Sequence, residues 1–403
     1  MRREEAIDAA VARVFRDEAA GITAGLVRVL GDFDVAEEIV QETLVAALER
    51  WPVDGIPDRP GAWLTTAARR RAIDLLRRDT NYREKLLMLE TPRSAPDEPD
   101  DRLRLIFTCC HPALSREAQV ALTLRTVCGL TTPQIARAFL VPEATIAQRI
   151  VRAKRKIVDA GIPYRLPSTA ESEARVAEVL AVLYLMFNEG YLSSGSDAPE
   201  RRELAEDAAW LAQLMVSVLP GEPETWGLLA LMRLHLARRR ARFDQHGALV
   251  LLQHQDRSMW DRRAIAEAAG MLGRAAQLGR PGPYQLQAAI IACHAEAPRW
   301  EATDWEEVVA LYDRLVAITR SPVAMLNRAI ALRHLRGDEE ALAAVDLLRA
   351  DLNRYHLFHA TRAEMLQALG RREEAAAATH LALQLTGNPS ERRLLETRLA
   401  EIG

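Results

Sequence analysis

The stretch that most constrains this chain is residues 131–157, TTPQIARAFLVPEATIAQRIVRAKRKI. Thr131 and Thr132 are helix-capping residues, and Pro133 suits a first helical turn, where its missing N–H would have no partner anyway. Ile135, Ala136 and Phe139 then give one apolar face. The chain turns at Leu140-Val141-Pro142, and a second helix runs from Glu143. In it, Ile146, Ile150, Ala153 and Ile157 follow the 4-3-4 spacing of a buried stripe. Thr145, Gln148, Arg149, Arg152, Arg155 and Lys156 fall on the other side. The segment reads as a helix-turn-helix with a basic second helix. A major groove admits such a helix, with Arg and Gln suited to base edges and Lys and Arg to phosphates.

Alanine, leucine, arginine and glutamate dominate the 403 residues, and β-branched runs are few, so an all-α protein of two or three domains is expected. The net charge of −3 does not suggest a nucleic-acid partner; the clustering of basic residues into two short stretches does. Four cysteines, none in CxxC spacing, fit a reducing compartment. There is no signal-peptide pattern, and no apolar run approaches the ~18 residues that span a bilayer, so a cytoplasmic protein with no membrane partner is expected.

The second basic stretch lies upstream. Gly31-Asp32-Phe33-Asp34 starts a helix whose core stripe is Val35, Ile39, Val40, Leu44 and Leu48. Its exposed face, Glu37, Glu38, Gln41 and Glu42, serves either solubility or docking on a basic surface. After a Pro- and Gly-bearing loop at 52–61, the segment AWLTTAARRRAIDLLRR predicts a helix with Trp63, Leu64, Ala67, Ile73 and Leu76 inside. Arg69, Arg70, Arg71, Arg77 and Arg78 lie largely outside. Two basic helices on separate small units suggest two contacts along one polyanion. Phe107-Thr108-Cys109-Cys110-His111-Pro112 reads as buried thiols before a turn, since adjacent cysteines ligate one ion poorly and no second ligand pair has zinc-site spacing. No metal site is expected. There is no nucleophile–base pair and no phosphate-cradling glycine loop, so no catalytic residue and no cofactor is expected either.

DFDVAEEIVQETLVAALERW with GAWLTTAARRRAIDLLRR resembles the sigma-2 domain of bacterial extracytoplasmic-function (ECF) sigma factors. LSREAQVALTLRTVCGLTTPQIARAFLVPEATIAQRIVRAKRKI resembles their sigma-4 domain. The resemblance implies a sigma-2-like domain at 1–80, a linker at 81–100 and a sigma-4-like helix-turn-helix domain at 101–162. It implies that Glu37, Glu38, Gln41 and Glu42 bind the β′ clamp of core RNA polymerase, and that the sigma-4 domain meets the β flap. Arg69, Arg70, Arg71, Arg77 and Arg78 would contact the promoter −10 element, and the loop at 52–61 would hold an extruded base. Thr145, Gln148, Arg149, Arg152 and Lys156 would contact the −35 element. Two residues depart from the pattern. Arg70 replaces a frequent asparagine, so the −10 preference does not carry over. Leu140 replaces a turn glycine, where positive φ would cost a leucine about 1–2 kcal/mol.

Residues 163–403 read as successive helix pairs. NRAIALRHLRGDEEALAAVDLL at 327–348 aligns with ATRAEMLQALGRREEAAAATHLAL at 360–383, placing Gly337 and Gly370 33 residues apart (370 − 337), near the 34-residue tetratricopeptide (TPR) period. The chain thus resembles the ECF subgroup with a C-terminal TPR-like extension. Asn188, Glu189, Asp256, Arg257, Ser258 and Trp260 are candidates for a surface that takes a protein or small-molecule ligand; a polar network fixing the domain's own packing explains them equally. The rival to a sigma factor is a helix-turn-helix regulator with a TPR-like sensor domain.

Overall fold

The structure, a computed structural model, describes residues 18–76, 101–139, 141–191, 199–245 and 249–402. Arg77, Arg78, Leu140 and the expected linker at 81–100 lie outside those residues. The fold is α-helical; among the described residues the only extended pairing is an isolated bridge between Phe243 and Leu249. The chain divides into two units, 1–189 and 190–403.

The first unit holds two helical modules. Helix α1 (18–30) ends at Gly31, which takes φ +72° and donates to Val27 O at 2.8 Å. That left-handed turn favours glycine. Asp32 then caps α2 (Phe33–Asp54), accepting from the Asp34 and Val35 amides at 2.8 and 3.2 Å. The observed stripe of α2 is Ile39, Val40, Thr43, Ala47 and Trp51. Leu48, expected inside, is 42% exposed. The four-residue steps 39, 43, 47 and 51 carry the buried face away from it and bring in Trp51, which meets Trp63 of α3 (Pro60–Leu76) edge-on at 5.7 Å.

The second module comprises α4 (Asp101–Cys109), α5 (Arg116–Thr126), α6 (Thr132–Phe139) and α7 (Glu143–Asp159). Thr131 and Gln134 form a reciprocal cap: Gln134 Oε1 accepts from the Thr131 amide at 2.8 Å, and Thr131 Oγ1 accepts from the Gln134 amide at 3.4 Å. Ile146, Ile150, Ala153 and Ile157 are all buried on α7; each isoleucine contributes roughly 1.5–3 kcal/mol. Cys109 and Cys110 are buried in α4 and the turn after it, and burial pushes the Cys110 thiol up to about 12. Among the described residues no three acidic, histidine or cysteine groups are placed to hold a metal. Helix α8 (Thr169–Tyr191) joins this module through Arg175, which donates to Phe107 O at 2.5 Å, and through an Arg116–Glu178 ion pair of 2.9 Å. The unit therefore ends at 189, within α8, beyond the 162/163 boundary of the expected domains.

In the second unit α9 (Pro199–Val218) and α10 (Pro223–Ala237) lead to short 3-10 turns, then α11 (Arg262–Gln277) and α12 (Pro283–Glu296). Glu224 of α10 acts as a cap for α12, accepting from the Tyr284 and Gln285 amides at 2.8 and 3.1 Å. The helices touch so closely there that a Cβ on Gly227 would lie 2.6 Å from Gln285 N. Next come α13 (Trp305–Thr319) and two helical hairpins. Gly337, φ +86°, joins α14 (Pro322–Arg336) to α15 (Asp338–Asp346); after the short α16 (Arg349–Leu352), Gly370, φ +73°, joins α17 (His356–Ala368) to α18 (Arg372–Leu385). One core, including Leu342, Val345, Phe358 and Leu366, runs through both hairpins, and α19 (Pro389–Ile402) adds Ile402 to it.

His294 at the end of α12 stacks on Trp300 at 5.5 Å. Burial, then Arg238, Arg257 and His334, push its pKa down to about 4. Folded His294 stays neutral while the unfolded chain takes up a proton near pH 6.5, so its contribution is present above 6.5 and is lost as pH falls through 4. The full loss is about 3 kcal/mol. Urea unfolding followed by tryptophan fluorescence should therefore show lower stability at pH 4.5 than at pH 7, and His294→Gln should flatten that dependence.

Candidate nucleic-acid and polymerase interface

The basic face of α7 is open where the sequence places it. Gln148, Arg152, Arg155 and Lys156 are exposed, while Thr145 and Arg149 are half-buried. Arg149 shares a cavity of about 220 Å³ with Glu117, Phe139, Ile146, Leu185 and Glu189. The structure thus brings Glu189, expected on a C-terminal surface, beside a residue expected to read DNA. Asn188 lies in the same unit, whereas Asp256, Arg257, Ser258 and Trp260 belong to the second.

In the first module, Arg70 and Arg71 line a cleft of about 680 Å³ with Arg50, Trp63, Thr66 and Asp74. Arg69 is half-buried beside it in sequence and does not line the cleft. Cations flanking an aromatic ring suit a single-stranded base, because stacking and phosphate attraction need no fixed sequence. The cleft is formed by α2 and α3, not by residues 52–61.

The acidic face of α2 splits in two. Glu38, Gln41 and Glu42 are exposed, with Glu42 Oε2 3.3 Å from Arg71 Nε. Glu37 is turned inward, its side chain only 16% exposed. It pairs with Arg125 of α5 at 3.3 Å and with Lys154 of α7 at 3.2 Å, and accepts from Thr126 Oγ1 at 3.4 Å. Lys154 also reaches Asp34 at 2.6 Å. Beyond this cluster, buried Asp101 pairs with Arg28 at 3.4 Å and with Arg104, and the Tyr164 hydroxyl donates to Ala24 O at 2.9 Å. The two modules are therefore fastened together by charge at one end and by a buried carboxylate at the other.

A Sigma-70 region 2 model matches residues 15–82, and a Sigma-70 region 4 model matches residues 104–157. An ECF RNA polymerase sigma factor, SigL of Mycobacterium tuberculosis, is 35% identical over 159 residues, 38% of this chain and 89% of SigL. The chain belongs to the ECF sigma factors. As such it is a transcription-initiation protein, and the two modules are its regions 2 and 4. Residues 175–276 match a family of unknown function, DUF6596. An uncharacterized protein of Rhizobium meliloti is 43% identical over 388 residues, 93% of this chain and 91% of its own length. The sigma factor thus shares its C-terminal half, as well as its sigma regions, with that relative. No described helix is long and apolar enough to cross a membrane.

Sequence reasoning passed over Lys154, Arg125 and Thr126 of this sigma factor. For Lys154 a signal existed: it lies four residues after Ile150 and three before Ile157, on the buried side of α7. A lysine on an apolar stripe calls for a carboxylate partner. Arg125 and Thr126 carried no such mark.

Proposed function

We propose that this sigma factor brings core RNA polymerase to promoters through two DNA contacts, and that the ion pairs of Glu37 hold a closed form that opens when polymerase binds. Exposed Glu38, Gln41 and Glu42 dock on the β′ clamp, and Glu37 joins them on opening; region 4 meets the β flap. Trp63, Arg70 and Arg71, with Arg69, Arg77 and Arg78 on the same segment, take the −10 element. Thr145, Gln148, Arg149, Arg152 and Lys156 take the −35 element. The observation that best supports this reading is the pairing of a basic helix-turn-helix face with a basic, aromatic cleft in one unit, under matches to both sigma regions. The protein does no chemistry itself and works in the cytoplasm. The hairpins at 322–385 read as TPR-like repeats that receive a partner or ligand, and Leu185 and Glu189 beside Arg149 give the extension a direct influence on the −35 helix.

The test is in vitro transcription with core polymerase on a promoter library. Arg149→Ala and Arg152→Ala should each cost promoter binding about 1–3 kcal/mol and relax selectivity at one position. Lys156→Ala should weaken all promoters alike and reduce the salt dependence by about one phosphate contact. Binding of duplex DNA by the chain alone, with no effect on polymerase, would instead fit a conventional helix-turn-helix regulator.

A further inference from the structure

In the second unit, buried Arg238 and half-buried Arg257 flank Trp260, and neither makes an ion pair among the described residues. Arg238 is 5% exposed and Trp260 3%. The Arg238 and Arg257 guanidinium carbons lie 5.8 and 4.5 Å from the centre of the Trp260 ring. Arg238 Nη2 meets His235 Nδ1 at 3.1 Å, and its Nε is buried without a partner. Arg257 Nη1 donates to the main-chain oxygens of His294 and Ala297 at 2.5 and 2.8 Å, while its Nη2 is buried without a partner. Trp260 Nε1 is in the same state. Glu301 lends Arg257 a compensating charge from outside ion-pair distance, while the acidic groups nearest in sequence and Glu206 are committed elsewhere. Asp256 caps the Ser258 amide at 2.9 Å, Asp261 caps the Ala264 amide at 3.0 Å, and Glu206 pairs with Arg239.

The buried guanidinium of Arg238, which leans on an imidazole and a ring, keeps its charge without a paired carboxylate, which is unfavourable unless an anion shares the site. Trp260 also walls a cavity of about 400 Å³, together with Leu236, Arg239, Arg240, Ser258, Met259 and Asp261, whose carboxylate is engaged by the Ala264 amide. Arg240 is exposed and makes no ion pair among the described residues. We propose that this cavity binds a small molecule carrying a phosphate group, drawn by Arg240, Arg239 and Ser258 and by the positive field of Arg238 and Arg257 behind Trp260. A space this size exceeds what a halide fills and falls in the range of metabolite sites. Planar guanidinium forks match the several oxygens of a phosphate, and Leu236, Met259 and the indole receive the less polar remainder. The site gives a ligand class to the extension in the reading above, and it stands or falls apart from promoter recognition.

Calorimetric titration of the full chain tests it, with inorganic phosphate and adenosine monophosphate as probes and chloride and acetate as controls at matched ionic strength. Saturable binding of both phosphate probes and none of chloride is expected. Arg240→Glu should weaken it about tenfold or more, because a charge-assisted contact is replaced by repulsion. Ser258→Ala should give a smaller loss, and both variants should melt like the parent in chloride. Absence of saturable binding, equal response to chloride, acetate binding without phosphate binding, or undiminished binding by Arg240→Glu would each overturn the site. Any of these, with transcription still dependent on Arg149, leaves the sigma function intact.

Discussion

Reversing charge at Lys154 (K154E) is expected to part regions 2 and 4 and raise the apparent affinity for core polymerase. Lys154 is 8% exposed and is held by Asp34 and Glu37. A glutamate there would set a third carboxylate against those two. Losing one partner of a mostly buried ion pair costs roughly 3–5 kcal/mol, and the exposed side of Asp34 places this case at the lower end. If closure hides most of the chain, apparent affinity is reduced by the open fraction, and opening restores it. Small-angle scattering should show a larger radius of gyration, and polymerase binding should tighten about tenfold. Glu37→Lys combined with K154E should recover part of the compactness, since the swapped pair is still set against Arg125 and Asp34, while polymerase binding should stay weak because Glu37 is lost. A K154E protein as compact as the parent, binding polymerase equally, would sink the closed-form reading.

The second large effect concerns where the chain is cut. Truncation after residue 168 removes all of α8, and with it the guanidinium of Arg175 over Phe107 and the partner of Arg116. Truncation after 191 keeps both. The shorter protein should lose several degrees of melting temperature in region 4 and aggregate, since Phe107 and neighbouring core residues lose a packing helix. The longer one should melt as region 4 does in the full chain. Hydrogen exchange at α5 separates the two outcomes. Equal protection in both truncations would show that α8 lends region 4 no stability. This sets the design of any experiment on the extension, because a cut at the apparent domain boundary would confuse loss of regulation with loss of fold.

Much of this was legible in the sequence. The helix-turn-helix stripe of Ile146, Ile150, Ala153 and Ile157 is buried as its spacing requires, because a helix fixes its own faces locally. The caps at Asp32 and Thr131 were equally local, and so were the hairpin glycines Gly337 and Gly370. Leu48 misled because apolar spacing alone does not say which of two near-equivalent faces a neighbouring helix will cover. The inward turn of Glu37 was invisible for a different reason: its partners Arg125 and Lys154 are 88 and 117 residues away (125 − 37 and 154 − 37). Pairing over such distances depends on how modules meet, which no local pattern encodes. The same holds for the arginines around Trp260, brought together from two separate segments.

Helix α7 carries two jobs on opposite sides. Arg152 and Lys154 are two residues apart, about 200° around a helix, so the side turned toward solvent and the side gripping α2 are back to back. Among the described residues Arg152 makes no ion pair, so in the closed form proposed above duplex contact at Arg152 would by itself leave the clasp shut. In that proposal, what competes directly for Glu37 is a basic surface on another protein. The closed form proposed above then sets an order of assembly: a protein partner acts first, and only a chain already in its grip stretches between two separated DNA sites. A cell holding such a factor in excess would keep it off its chromosome without any separate inhibitor.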